Sequence, residues 1–180
     1  FGGQESDRQE SFKILGLALL ASILLIYMIL ASLYESLIHP FTILLSVPFA
    51  FTGAIGALFL TGTSLGVTAL IGMIMLVGIV ATNAIVLIDF IIKRRATEPD
   101  CRKAIVEAAS IRLRPILITA IATLFALLPV GLGNQEGMEL QAPLGIAVVG
   151  GLFSSTLLTL YIIPVIFEIF DSLSRKLKKP

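Results

Sequence analysis

The sequence predicts an all-α membrane protein, a bundle of five transmembrane helices joined by one short amphipathic helix at the membrane surface. Two observations carry this. Hydrophobic residues make up 57% and charged residues 14% of the 180 residues, against about 45–50% and about 25% in soluble domains. The charges are also clustered. No Asp, Glu, Lys or Arg occurs in 14–34, 36–88, 115–135 or 140–167. A spanning helix needs roughly 20 apolar residues, so 36–88 suits a hairpin of two spans. Helices of water-soluble folds keep a polar face, which these runs lack.

Residues 1–10 read as a polar lead-in to the outside of the membrane. They are acidic rather than basic, so they do not form a signal peptide. The first span is expected over residues 12–33. Tyr34 to Pro40 is a polar turn, and Pro40 suits the first turn of the next helix. The second span is expected over 41–60. Thr61-Gly62-Thr63-Ser64 carries turn and capping chemistry, and the third span follows over 65–92.

Residues 93–114 form the one substantial polar segment. Thr97 and Asp100 stand at capping-box spacing. Cys101, Ala104, Ile105, Ala108 and Ala109 follow the i, i+3, i+4, i+7, i+8 rule. This spacing predicts a surface helix over 98–111, with its basic residues facing headgroups or water. The fourth span is expected over 114–132, a polar loop over 133–141 and the fifth span over 142–170. A basic tail, 173–180, ends the sequence. The main bundle is thus assigned to 11–172.

Lysine and arginine set the orientation. Seven lie in 93–114 and four follow Asp171, whereas Arg8 and Lys13 stand alone on the other side. The 93–114 segment and the C-terminus are therefore expected in the cytoplasm, and the N-terminus outside. Five spans with an external N-terminus and Phe1 as first residue suggest a piece of a longer chain.

Small residues crowd the spans: Gly53, Gly56, Gly72, Gly78, Gly145, Gly150, Gly151, Ser154 and Ser155. Such residues let helices pack closely in lipid, and sliding surfaces of a moving transporter are the other reading. Pro48, Pro115, Pro129 and Pro164 read as kinks or hinges. Thr82-Asn83 places an amide deep in a span, where it needs protein or a wet cavity. It suits an interhelix hydrogen bond or a step on a proton or ion path. Asp89 and Lys93 are four apart and can pair on one helix face, and with Arg114 they read as interface anchors. Arg112 either anchors the helix or reaches inward to a carboxylate, with Thr119 two turns further along. His39 and Glu35 read as interfacial residues.

Several classes are excluded. One cysteine precludes an internal disulfide and a four-cysteine metal site. One histidine precludes a His-Glu-x-x-His site, and neither a Gly-x-Ser-x-Gly elbow nor a phosphate-binding Gly-x-x-x-x-Gly-Lys loop occurs. No enzyme, cofactor, metal or nucleic-acid role is expected, because the basic residues flank spans.

Certain strings resemble the resistance-nodulation-division (RND) efflux transporters. They are Tyr34-Glu35-Ser36 with His39-Pro40, Ser46-Val47-Pro48, Gly53 with Gly56, the run 78–90 through Thr82-Asn83 to Asp89-Phe90, and Arg112-Leu113-Arg114-Pro115-Ile116-Leu117-Ile118-Thr119. The resemblance covers about 11–170. It implies the last five of twelve helices, with the N-terminal half of the same transporter as partner. It also implies a homotrimer in the inner membrane, a periplasmic adaptor and an outer-membrane channel in Gram-negative cells. The implied activity is proton-driven export of drugs or other amphiphiles, dyes or metal ions. In the family a proton relay joins two aspartates of the N-terminal half to a lysine and an arginine. The arginine position is Arg112, a nearby threonine is Thr119, and the lysine position is Thr82, beside Asn83. That departure puts the coupling ion in question, since a hydroxyl cannot form the ion pair a lysine would. The alternative from a different class is a non-transporting membrane scaffold or split-gene remnant serving as a helix-bundle assembly module.

Overall fold

A computed structural model describes residues 2–98, 100–133 and 140–177. It contains six helices among the described residues: α1 (Gly2–Tyr34), α2 (Ile38–Leu44), α3 (Ser46–Leu60), α4 (Val67–Thr97), α5 (Cys101–Leu132) and α6 (Ala142–Leu177). Five segments are long and apolar enough to cross a membrane, with α2 and α3 together forming one. The expected polar loop at 133–141 and basic tail at 173–180 lie in part outside the described residues.

Helices extend beyond the sequence-derived limits at the polar ends. The expected lead-in, 1–10, is helical from Gly2, and Ser6 to Glu10 are exposed. Once a helix is nucleated, each added residue gains a backbone bond at little cost. Gln, Glu and Arg are also good helix formers. α1 ends at Tyr34, where Glu35 takes the left-handed conformation with φ 47°. The second span is interrupted at Leu45, where Pro48 lacks the N–H that would bond the Leu44 carbonyl.

The larger difference lies at 98–114. The surface helix expected over 98–111 and the span expected from 114 form one continuous helix, α5. Ala104, Ile105 and Ala108 are buried, and Ile105 and Ala108 pack in one core with Leu87, Ile88 and Ile91 of α4 rather than against headgroups. The amphipathic stripe is real, and a neighbouring helix covers it. The expected Thr97–Asp100 box does not form. Thr97 is the last residue of α4 and its hydroxyl donates to the Arg94 carbonyl, 2.9 Å. Asp100 is the cap of α5, accepting from the Arg102 N–H at 3.1 Å. α5 continues through Pro115 and Pro129, and α6 through Pro164.

α6 packs on α3, α4 and α5, and α4 additionally on α1 and α2. Half of the most apolar stretch of α4 is buried (50%), against 6% for α1, so α4 is central and α1 peripheral. Two cores result. One, at the basic end, joins Leu30, Ile43, Leu87, Ile88, Ile91, Ile105 and Ile116. The other joins Ala50, Ala54 and Leu58 of α3 with Met73 and Leu76 of α4 and Val148 and Leu152 of α6.

The α3–α6 seam depends on missing side chains. A Cβ on Gly150 would stand 2.2 Å from the Cβ of Ala57 and 2.8 Å from the Gly53 carbonyl oxygen. Lipid offers no hydrophobic force to hold helices together, so close contact between small residues does it. Gly56 and Gly78, by contrast, meet nothing within 4 Å.

Candidate functional site on the α4–α5 pair

α4 and α5 are connected through residues 98–100 and run antiparallel. Two contacts fix their register. Arg94 pairs with Glu107, and the guanidinium carbon of Arg112 lies 4.6 Å from the centre of the Phe90 ring. Five steps forward along α5 thus match four steps back along α4. Thr119 and Asn83 each stand seven residues beyond the Arg112–Phe90 contact on their own helix.

The spans Val67–Thr97 and Arg102–Leu132 each hold 31 residues, about 46 Å at 1.5 Å per residue. Hydrocarbon is about 30 Å thick. The shared end with Lys93, Arg94, Arg95, Arg102 and Lys103 therefore projects, and Phe90 and Arg112 sit nearer the core. A cation at the centre of a span costs about 2.5–3.5 kcal/mol on insertion scales. Stacking on the Phe90 face offsets about 0.5–2 kcal/mol of such a cost. Nε of Arg112 is buried and has no hydrogen-bond partner among the described residues.

Thr82 Oγ1 donates to the Gly78 carbonyl at 2.9 Å. Thr119 Oγ1 lies 3.1 Å from the Pro115 carbonyl oxygen and 3.0 Å from that of Ile116. Each hydroxyl spends its proton on its own helix and keeps acceptor lone pairs for an incoming donor. Thr82 and Thr119 are exposed, and Asn83 and Arg112 are half-buried. No hydrogen bond among the described residues links these four to one another.

The open face of α4 runs through Gly78 and Thr82, and that of α5 through Thr119 and Ala122. These positions are small, and they stand among exposed Ile71 and Met75 of α4 and Ile118, Ile121 and Phe125 of α5. The open surface of α1 carries Leu17, Leu20, Leu24, Met28 and Ile29. Large apolar surfaces suit lipid, and small polar ones suit another helix.

Lys93 Nζ lies 2.7 Å from Asp89 Oδ2, and these side chains are 71% and 41% exposed, so the pair contributes at most about 0.5 kcal/mol. Arg114 is exposed at the same end. The stacking of Arg112 on Phe90 and the Arg94–Glu107 pair escaped sequence reasoning, since local spacing reveals only same-helix partners. Tyr34 and His39, read from the sequence as a turn residue and an interfacial residue, meet edge to face, ring centres 5.9 Å apart. Among the described residues no three His, Cys, Asp or Glu side chains gather as metal ligands.

The profile of the AcrB/AcrD/AcrF family matches residues 1–171. The swarming motility protein SwrC of Bacillus subtilis (strain 168) is 47% identical over 176 residues, covering 97% of this chain and 17% of SwrC. The multidrug resistance protein MdtC of Proteus mirabilis (strain HI4320) is 44% identical over 177 residues, 98% of this chain and 17% of MdtC. A crystal structure of a heavy metal efflux pump superposes with TM-score 0.84 at 32% identity, over 94% of this chain and 17% of that one. The chain thus spans about a sixth of the length of these relatives. A match over nearly the whole sequence, a shared helical arrangement and five membrane-length helices together establish that this chain belongs to the AcrB/AcrD/AcrF family of RND efflux transporters.

Proposed function

We propose that this chain is the C-terminal membrane portion of a proton-driven exporter of drugs or other amphiphiles. In this reading Arg112, Thr119, Thr82 and Asn83 supply its side of the proton path. The carrying observation is Arg112: a half-buried guanidinium on the Phe90 face, its Nε buried without an acceptor among the described residues, on the same helix pair as the exposed hydroxyls of Thr82 and Thr119. That arrangement suits a carboxylate presented by a companion half of the same transporter. Protonation of the facing carboxylate would then release Arg112 from the pair. With threonine at position 82, Arg112 carries the pairing without a second cation beside it. Asp89, Lys93 and Arg114 would then anchor the cytoplasmic interface.

The fuller setting belongs to the same proposal. It comprises a homotrimer in the inner membrane, a cytoplasmic C-terminus, a periplasmic adaptor and, in Gram-negative cells, an outer-membrane channel. SwrC, MdtC and the heavy metal pump differ in what their names say they serve, so substrate class rests on the drug-resistance relatives.

The test is proton-dependent dye export by the complete transporter in proteoliposomes. Arg112→Ala should abolish export at unchanged protein level, and Thr82→Lys should retain it. Export undiminished in Arg112→Ala would remove the relay assignment and leave an assembly role for the segment.

A further inference from the structure

Among the described helices α1 packs only on α2 and α4, and its last residue stands where the three meet. The Tyr34 ring lies edge to face with His39 of α2. Its hydroxyl points to the Ile85 carbonyl oxygen of α4 at 3.5 Å. The Asp89 carboxylate, one turn beyond Ile85, is close enough to act on that hydroxyl electrostatically. Phenol, imidazole and carboxylate, from three helices, thus share one corner of the bundle. Tyr34 and His39 are half-buried, and the Asp89 side chain is 41% exposed.

The corner has water on one side and the open face of α4 on the other. Residues 35–37 between α1 and α2 are irregular, and Glu35 among them is exposed. Lipid-exposed irregular backbone does not occur within hydrocarbon, so this turn marks the water boundary. His39 follows it at the second position of α2. In the other direction Asp89 stands seven residues from Thr82: two helical turns, about 10 Å, on the same face.

The other charged and titratable groups around His39 are engaged or distant. α1 adds Tyr27, two turns before Tyr34. On α4, Lys93 is paired with Asp89, Arg94 with Glu107 of α5, and Arg95 donates to the Glu98 carbonyl. α2 also packs on α3 and α6. α3 carries no titratable side chain, and Tyr161 and Glu168 of α6 are exposed. Asp89 is the carboxylate of α4 that lies between Thr82 and the turn.

We propose that His39 releases the transported proton to the cytoplasm, receiving it from Asp89 and held in place by the Tyr34 ring. The proposal rests on the proton-driven reading above, with the basic end in the cytoplasm, and adds the end of its route. Histidine is the side chain whose ordinary pKa lies nearest to cytoplasmic pH, so it both accepts and gives up a proton there. A proton leaving the facing carboxylic acid passes over water along α4 and forms an O–H bond on Asp89, which lets go of Lys93. Asp89 passes it, again over water, to the neutral imidazole and regains Lys93. The imidazolium N–H then breaks to cytoplasmic water or buffer, and every group ends as it began. Tyr34 is a positioning residue: its ring sets where the imidazole stands.

The experiment uses the complete transporter in everted membrane vesicles, whose cytoplasmic face is outside. Dye uptake driven by an acid interior is followed in dilute and in concentrated outer zwitterionic buffer that does not cross the membrane. Wild type should be indifferent to buffer concentration. His39→Ala and, separately, His39→Gln should slow uptake several-fold in dilute buffer, and concentrated buffer should restore it by taking the proton in place of imidazole. Tyr34→Ala should show the same restorable defect, and Tyr34→Phe should not. Asp89→Asn should slow uptake, and Asp89→Glu should keep it. Uptake by both His39 variants at the wild-type rate in dilute buffer, or slow at every buffer concentration, would overturn the proposal. Arg112→Ala in the same vesicles separates the two readings: inactive at every buffer concentration, it leaves the relay standing whatever His39 does, and active, it removes the relay and this exit together.

Discussion

Ser154 of α6 donates its hydroxyl to the carbonyl of Phe49 in α3, 3.3 Å away and 105 residues distant in the chain. The bond is possible because Gly53 stands beside it: a Cβ there would lie 2.2 Å from Ser154 Cβ and 2.7 Å from the Gly150 carbonyl oxygen. Backbone cannot move aside as a side-chain tip can. Gly53→Val should therefore force α3 and α6 apart and cost about 1–3 kcal/mol, as overpacking does. A lowered melting temperature of the transporter in detergent would show it.

The same argument gives a contrast at Gly78. A Cβ there meets nothing within 4 Å, and alanine is the better helix former by about 1 kcal/mol. Gly78→Ala should leave the stability of this bundle unchanged or slightly raised. If export by the complete transporter nevertheless falls, a helix from the companion half packs on that face. Cysteine cross-linking from position 78 would identify it.

Phe90 should matter to Arg112 through its ring. Phe90→Leu keeps apolar bulk and removes the quadrupole, so it should cost about 0.5–2 kcal/mol. Phe90→Trp should retain the interaction. In a double-mutant cycle with Arg112→Gln, the coupling read from melting temperatures should vanish once the ring is gone.

Asp100 caps α5 with one carboxylate bond to the Arg102 N–H. Asp100→Ala should cost about 1 kcal/mol, and Asp100→Ser little. Faster amide hydrogen exchange over residues 101–104 in Asp100→Ala would report the frayed first turn.

Glu35 holds φ 47°, where a Cβ costs about 1–2 kcal/mol. Glu35→Gly should raise the melting temperature, and Glu35→Val should lower it. If neither moves, the turn after α1 relaxes in the membrane.

The residue order alone determined the class of the molecule and the place of its spans. Charge-free runs of spanning length have one stable solution in hydrocarbon, the helix, because every backbone polar group must be satisfied within the segment. Charge and turn residues marked where those runs end. The Asp89–Lys93 pair was legible too, since four residues is a helix's own repeat.

Only the tertiary structure decided the rest. It merged 101–111 with the following span, because the stripe through Ile105 and Ala108 found α4 to cover it. An amphipathic period records that a face will be covered, and is silent on whether lipid or a helix covers it. It also set Arg112 on Phe90, and separated glycines at contacts, such as Gly53 and Gly150, from those on open faces, such as Gly78. These follow from the register between helices distant in sequence, which close packing of small residues sets and periodicity within a single helix cannot encode.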